Sequence, residues 1–233
     1  MSTRQLAIFV EGQTEQIFLK TLFEEIAGKR RIQVHAVTYE TSALAALELR
    51  KKRWFRADLE YFVLLMNCQN DEKVKSVILE QRPSLTKAGY SLILGLRDLY
   101  PKTLDDIEAV KRNIAYGLPT AGVPTHILLA VAEVEAWFLQ DHTHYARIDA
   151  GLDYSKFKGA FGFDPTADSA ESIPWPSDLL HRIYRSVGKA YNKTRGHVQR
   201  TVNVLDYGEM YLTFPGKLPH LRELIAHIDA FLA

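Results

Sequence analysis

Close to its start the sequence reads Gln5-Leu6-Ala7-Ile8-Phe9-Val10-Glu11-Gly12-Gln13-Thr14-Glu15, and this segment indicates the fold class. Its apolar run, residues 5–10, has the length and composition of a buried strand. Residues 14–27 then carry apolar side chains at helical spacing, and Gly28 follows where a helix is expected to stop. A buried strand followed by an amphipathic helix is the repeating unit of a parallel α/β sheet.

The same alternation continues through the first 140 residues. Further strands are predicted at 32–39, 60–66, 90–96 and 126–132. The helices predicted between them lie at 42–55, 72–81 and 104–115. We therefore expect an α/β fold with a mostly parallel, Rossmann-like sheet and helices on both of its faces.

The strand signal fades after residue 140. Glycines and prolines mark an irregular stretch up to residue 176, and helices are predicted at 178–191 and 218–231. The expected organisation is an α/β core in residues 1–140 and a mainly helical C-terminal extension, residues 141–233, packed on that core.

Composition excludes several classes of protein. The 233 residues are 47% hydrophobic and 24% charged, as in ordinary globular domains. Cys68 is the only cysteine in the sequence, which excludes an intramolecular disulfide and a four-cysteine zinc site. The longest apolar runs have six residues, whereas a membrane helix needs about 20. We expect a soluble cytoplasmic protein without a membrane partner.

The charge is unevenly distributed although the net charge is only +1. Residues 101–178 hold twelve acidic and six basic side chains, whereas residues 179–205 hold six basic and no acidic ones. This asymmetry is a modest indication of an anionic partner such as nucleic acid. The alternative is a solvated helix face whose charges pair with the acidic segment.

Carboxylates stand where the predicted strands end. Glu11 follows the first strand, Asp98 follows the strand at 90–96, and Glu133 and Glu135 follow the last. Ligands of open α/β sheets bind beyond the carboxyl ends of the strands. A carboxylate there is costly to bury unless it is paired or binds a metal.

Each of these carboxylates also has a structural interpretation. Glu11 could accept backbone hydrogen bonds from the turn that follows it, with Gln13 or Thr14 capping the next helix. Asp98 could be neutralised by Arg97 or could cap the next turn. Glu133 and Glu135 face the same way if the backbone is extended, but lie about 200° apart if a helix has begun.

A cluster of carboxylates at one sheet edge repels itself unless a cation is present. Donor sets made only of oxygen suit Mg²⁺ or Mn²⁺ rather than zinc. Such ions stabilise charge on phosphoryl oxygens and activate water.

These segments resemble a known family. Val-Glu-Gly-x-Thr-Glu at residues 10–15 resembles the opening of TOPRIM-type domains, in the branch related to the overcoming-lysogenisation-defect nucleases. It is most similar to a bacterial family of TOPRIM-like uncharacterised proteins with this opening. Asp98-Leu99-Tyr100-Pro101 and Glu133-Val134-Glu135-Ala136-Trp137 match that family's later segments in order, and Tyr191-Asn192-Lys193 resembles a Tyr-x-Lys element.

The resemblance implies a TOPRIM-like fold and Mg²⁺- or Mn²⁺-dependent cleavage of phosphodiester bonds, beside an ATPase partner in phage defence. Glu11, Asp98, Glu133 and Glu135 would then be the catalytic and metal-binding residues. Lys193, Arg185 and Arg195 would contact the phosphates of nucleic acid. The sequence departs from the TOPRIM pattern at Asp98. Leu96 and Tyr100 stand two residues before and after it, and Leu99 follows it directly, so Asp98 does not form an Asp-x-Asp pair.

Two other functions remain open at the level of sequence. One is a non-catalytic module that regulates an ATPase, and the other is a protein that binds small nucleotides. Residues 50–56 interleave basic and aromatic side chains, as a strand-binding surface or an ordinary helix end would. His142 and His144 flank Thr143 but lack an evident third metal ligand.

Overall fold

The computed structural model describes residues 3–39, 58–70, 72–99, 102 and 104–233. These residues form an α/β fold around a five-stranded parallel sheet with the order β2-β3-β1-β4-β5. The strands are β1 (Arg4–Val10), β2 (Ile32–Thr38), β3 (Tyr61–Asn67), β4 (Leu92–Asp98) and β5 (Thr125–Ala130). The predicted α/β class and parallel sheet are confirmed.

The central strand is the apolar run that opens the sequence. Residues 6–10 of β1 are completely buried, because β3 and β4 flank the strand on its two sides. Val10 lies opposite Asn67 of β3 and Leu96 of β4, so the carboxyl ends of these three strands are aligned. Glu11 therefore leaves the sheet at its carboxyl edge.

Helices follow the strands as the periodicity predicts. They are α1 (Gln13–Ala27), α2 (Lys73–Lys87), α3 (Ile107–Ala115), α4 (Glu135–Gln140), α5 (His144–Ile148), α6 (Phe157–Phe161), α7 (Pro176–Arg185), α8 (Arg195–Val202), α9 (Tyr207–Leu212) and α10 (Pro219–Leu232). In the sheet region, α1 packs on β2 and β3, and α2 packs on β1. None of the described helices is long and apolar enough to cross a membrane.

Two predicted helix ends are wrong. We expected α2 to stop before Pro83, but the helix contains Pro83 and continues to Lys87. Proline there removes the hydrogen bond to the carbonyl of Leu79, and Leu79 is exposed, so water can take that bond. We expected α7 to reach Tyr191, but it ends at Arg185, and Gly188 then adopts a left-handed backbone.

By compactness the described chain divides into two units. The first comprises residues 1–97, 111–128 and 228–233, and contains nearly all of the sheet. The second comprises residues 98–110 and 129–227, and is mainly helical. Each unit is described by itself below. The predicted boundary at residue 140 stays a prediction, as does the packing of residues 141–233 on the core.

Two interpretations of the sequence fall on residues that the structure does not describe. They are the helix predicted at 42–55 and the basic and aromatic stretch at 50–56. Both stay predictions.

Gly95 allows β4 to pack closely within the first unit. A Cβ atom at this position would lie 2.9 Å from Cδ1 of Ile78 and 3.1 Å from side-chain carbons of Val74 and Ile127. We expect Gly95→Ala to lower the free energy of unfolding by about 2 kcal/mol, because the surrounding core has to shift. Urea denaturation measures this change. The exposed Gly159, which has no atom within 4 Å of an added Cβ, supplies the control Gly159→Ala; equal effects of the two substitutions would contradict the prediction.

Candidate functional site

Glu11 is the candidate site residue of the first unit. It follows β1 directly, and its carboxylate Oε1 lies 3.8 Å from Nε of Arg97. Both side chains are largely buried, with 14% of Glu11 and 23% of Arg97 exposed. The sequence offered Arg97 as a partner of Asp98; the structure gives Arg97 an ion pair with Glu11.

The turn after Glu11 begins α1 without a side-chain cap. Gly12 is the N-cap residue, so the suggestion that Gln13 or Thr14 caps this helix is wrong. Gln13 and Thr14 are already the first two residues of the helix, whereas a capping residue precedes the helix. A Cβ atom on Gly12 would lie 3.1 Å from Oε2 of the buried Glu15. Glu15 thus occupies the first turn, where the helix dipole favours a negative charge.

Residues 67–70, at and after the end of β3, contain no acid. The side chain of Asn67 accepts a hydrogen bond from the backbone N–H of Gln69 and so stabilises the turn. Burial, and to a smaller extent the nearby charge of Glu11, raise the pKa of the Cys68 thiol to about 12. Cys68 is therefore a protonated, unreactive core residue at neutral pH. Asp71 lies outside the described residues.

The other three candidate carboxylates belong to the second unit. Asp98 is buried, and the N–H of Leu99 donates to the carbonyl of Ala130 at 3.0 Å. This bond continues the strand pairing past Asp98 and brings it beside the residues that lead into Glu133.

Glu133 lies in a tight turn between β5 and α4. Ala132 has a φ of 60°, a left-handed backbone that costs free energy in any residue except glycine. The N–H of Glu133 donates to the carbonyl of Val131 at 3.0 Å, which closes the turn. Its carboxylate accepts a hydrogen bond from the backbone N–H of Ser177 at 2.9 Å. The turn thus fixes the direction in which this carboxylate points.

Glu135 is the first residue of α4 and is completely buried. Its Oε1 accepts a hydrogen bond from the hydroxyl of Tyr191 at 2.8 Å. A buried carboxylate is costly unless such partners compensate its charge. Tyr191 is therefore part of the site, although the sequence indicated it only through the Tyr-x-Lys resemblance.

Lys193 joins the two glutamates. Its Nζ lies 2.6 Å from Oε1 of Glu133 and 3.5 Å from Oε2 of Glu135. The sequence left open whether these two acids lie on extended backbone or on a helix. In the structure Glu133 lies in the turn and Glu135 on the helix, and both carboxylates reach the same ammonium group. Lys193 was expected to contact phosphate; in the structure its ion pairs are with these carboxylates.

The charges of this cluster stabilise each other. Burial alone would lower the pKa of Lys193, but the carboxylates of Glu135, Glu133 and Asp98 raise it well above its usual range. Burial alone would raise the pKa of Glu133, but the ammonium of Lys193 and the hydrogen bonds from Lys193 and Ser177 lower it. Lys193 thus stays charged, and Glu133 stays ionised, through the whole neutral range.

The backbone that presents Lys193 is held on both sides. Nδ1 of His181 lies 2.9 Å from the carbonyl of Tyr191, and Nδ1 of His197 accepts the N–H of Asn192 at 3.1 Å. Lys193 itself has a φ of 52°. Left-handed residues other than glycine concentrate at functional sites, and both Ala132 and Lys193 belong to this cluster. No local sequence signal marked His181, His197 or Ser177, because each contributes through a contact distant along the chain.

The remaining predicted phosphate contacts are surface residues. Arg185 is exposed at the end of α7, and Arg195 is exposed at the start of α8. Their role stays a prediction. Among the described residues, no group of three or more His, Cys, Asp or Glu side chains is arranged to hold a metal ion.

The comparisons with known proteins identify a family. A search of curated proteins found no match. A family model described as a domain of unknown function, DUF4276, matches residues 10–201. The match begins at Val10 and includes Glu11, Asp98, Glu133, Glu135 and Lys193. Because it covers well over half of the sequence, the chain belongs to the DUF4276 family.

Proposed function

We propose that the protein is a Mg²⁺- or Mn²⁺-dependent nuclease, which hydrolyses phosphodiester bonds of nucleic acid. The observation that carries this proposal is that Glu133 and Glu135 both contact the ammonium group of Lys193, while the charge of Asp98 helps to raise the pKa of that group. The charges of three carboxylates exceed that of one lysine, and a hard divalent cation suits both that excess and a donor set of oxygens.

The oxygen donors suit such a metal, although the described carboxylates are arranged around the ammonium of Lys193 rather than in the geometry of a metal site. The ammonium marks the position at which a positive charge is stabilised. Glu133, Glu135 and Asp98 of the second unit would hold the cation. For Glu11, the role of a further ligand or of a general acid or base stays a proposal from the sequence alone. When bound, the metal would neutralise charge on phosphoryl oxygens and activate water.

The protein's own groups have separate tasks in this proposal. The Lys193 side chain is 39% exposed, so its ammonium can bind a phosphate oxygen while it keeps its proton. The hydroxyl of Tyr191 orients Glu135, and the N–H of Ser177 orients Glu133. Arg185 and Arg195 would contact neighbouring phosphates.

The wider setting is also part of the proposal. The resemblance to TOPRIM-type proteins related to the overcoming-lysogenisation-defect nucleases supports a cytoplasmic role in phage defence with an ATPase partner. The DUF4276 description itself names no activity.

Glu133→Gln tests the proposal. Calorimetry should detect Mn²⁺ binding to the wild type and at least tenfold weaker binding to the variant, because a ligand charge is lost. In a separate assay, the variant should cleave plasmid DNA or RNA about a hundredfold more slowly than the wild type. Glu223→Gln, at an exposed glutamate of α10, is the matched control and should behave like wild type. Glu11→Gln tests the further role of Glu11. Cleavage that is equal in wild type and Glu133→Gln would remove Glu133 from the mechanism.

A second candidate is a non-catalytic module that regulates an ATPase. Its support is that Glu11 and Glu133 already have cationic partners, in Arg97 and Lys193. Absence of Mn²⁺ binding at millimolar concentration, together with absence of cleavage, would favour this module. Melting-temperature shifts with nucleotides but not with DNA would favour a small-nucleotide binder instead.

A further inference from the structure

Trp175 is an exposed aromatic side chain of the second unit, two residues before Ser177, which binds Glu133 of the acidic cluster. Its relative exposure is 63%, although tryptophan is among the side chains that gain most from burial. It occupies the N-cap position of α7, where it makes no side-chain capping bond. Small polar residues are preferred at that position. Neither packing nor capping explains a tryptophan here.

The backbone at Trp175 is restricted to few conformations. Trp175 lies between Pro174 and Pro176, and proline restricts both its own φ and the conformation of the residue before it. The carbonyl of Trp175 accepts the N–H of Leu179 at 3.1 Å, which fixes its backbone to the start of α7. A ring on a restricted backbone loses less conformational entropy when a flat ligand stacks on it than a ring on a flexible loop.

Trp175 is also close to the proposed site for phosphate. It stands two residues before Ser177, a span of at most about 7 Å. The N–H of Ser177 donates to Oε2 of Glu133 at 2.9 Å, and Oε1 of Glu133 lies 2.6 Å from Nζ of Lys193. The exposed residues Arg182 and Arg185 follow on the same helix. An aromatic face beside lysine and arginine side chains is the combination that binds single strands.

We infer that Trp175 stacks on an unpaired base of a nucleic-acid strand whose phosphates lie toward Lys193, so that the substrate is single-stranded. This inference rests on the proposed function. A paired base in a duplex is already stacked on both faces and offers no surface to the indole.

The test measures binding of a labelled oligothymidine by fluorescence anisotropy, with EDTA present so that cleavage does not interfere. We expect Trp175→Ala to weaken binding roughly tenfold and Trp175→Phe to keep most of the affinity, because phenylalanine retains an aromatic face. Tyr116→Ala, at an exposed aromatic of the first unit, is the matched control and should bind like wild type. A thymidine mononucleotide should compete poorly.

Four results would overturn the inference. Trp175→Ala could bind the strand as tightly as wild type, or Trp175→Phe could lose as much affinity as Trp175→Ala. Trp175→Ala could also lose as much affinity for the duplex as for the single strand, or the mononucleotide could compete as strongly as the strand. Because binding is measured without a divalent metal, the result is independent of the cleavage assay. Binding that depends on Trp175 without cleavage in Mn²⁺ would retain this inference and refute the nuclease. Cleavage that depends on Glu133, together with unchanged strand binding by Trp175→Ala, would support the nuclease and refute this inference.

Discussion

Replacing Lys193 with methionine is expected to lower the free energy of unfolding by about 3 kcal/mol, because the substitution leaves the carboxylates of Glu133 and Glu135 without their shared cation. Glu135 is completely buried, so water cannot take the place of the ammonium at that carboxylate. Part of the lysine side chain is exposed, which keeps the expected loss at the lower end of the range for buried ion pairs.

Urea denaturation at neutral pH measures this loss. Lys189→Met is the matched control, because Lys189 is four residues away and lies 3.8 Å from Asp149 in an exposed pair. We expect it to change the free energy of unfolding by less than about 0.5 kcal/mol. Losses of the same size in both variants would contradict a special role for Lys193.

A second substitution tests the cause of the loss. Glu135→Gln added to Lys193→Met should restore more than half of the stability, because it removes the buried charge that the lysine compensated. The loss should also shrink in acid: the pKa of Glu133 is lowered in the folded state, so its stabilising effect is present above the ordinary carboxyl pKa and is lost as pH falls through the folded pKa. A loss that is the same at pH 7 and in strong acid, or no recovery in the double variant, would show that the ion pairs are not its origin.

The same variant connects stability to the proposed metal. If the carboxylates of the cluster accept a divalent cation, millimolar Mn²⁺ should raise the stability of Lys193→Met more than that of the wild type, since the metal then replaces the missing ammonium. Equal responses of the two proteins to Mn²⁺ would favour the non-catalytic module.

The sheet could be predicted from the sequence because its strands are continuous apolar runs. The run in β1 is buried from Leu6 to Val10, and its short length favours a strand over a helix. The strand predicted at 90–96 lies at Leu92–Asp98 in the structure, and this difference has a local cause. Tyr90 extends the apolar run backward, but its N–H closes α2 by donating to Leu85, and the strand begins only at Leu92.

The candidate site was predictable only in part. Strand ends pointed to Glu11, Asp98 and Glu133 as candidates, because ligands of open α/β sheets bind beyond the carboxyl ends of the strands. The partner of each acid was not predictable, since the Lys193–Glu133 pair spans 60 residues and the Tyr191–Glu135 hydrogen bond spans 56. The basic composition of residues 179–205 indicated an anionic partner, and part of that charge binds the protein's own acids, as the alternative interpretation held for this segment.

Stability is expected to fall by about 3 kcal/mol as the pH falls from 7 to 4 because of one buried histidine, His144. This side chain is completely buried in the second unit. Burial lowers its pKa to about 4, although the nearby charge of Asp141 opposes that change; Arg147 acts in the same direction as burial. The free energy of unfolding falls because the unfolded chain binds a proton at His144 more readily than the folded protein does.

The hydrogen bonds of His144 agree with a neutral ring. Nδ1 lies 2.5 Å from the carbonyl of Asp141, to which it donates, and Nε2 lies 3.0 Å from the hydroxyl of Tyr184, which donates to it. In the unfolded chain the ring binds a proton near pH 6.5, whereas in the fold it does so only near pH 4. The stabilising effect is therefore complete above pH 6.5 and is lost as the pH falls toward 4.

The measurement is urea denaturation of wild type and His144→Gln across this pH range, because glutamine can also donate and accept but does not titrate. The difference between the two free energies of unfolding should change by about 3 kcal/mol from pH 7 to pH 4, with the wild type losing more. His142→Gln, two residues away at a half-buried ring that contacts Tyr154, is the matched control and should keep the steep wild-type dependence. A His144→Gln variant as sensitive to acid as wild type would mean that His144 binds its proton equally well in the folded and unfolded states, and that the carboxylates alone set the acid limit of this fold.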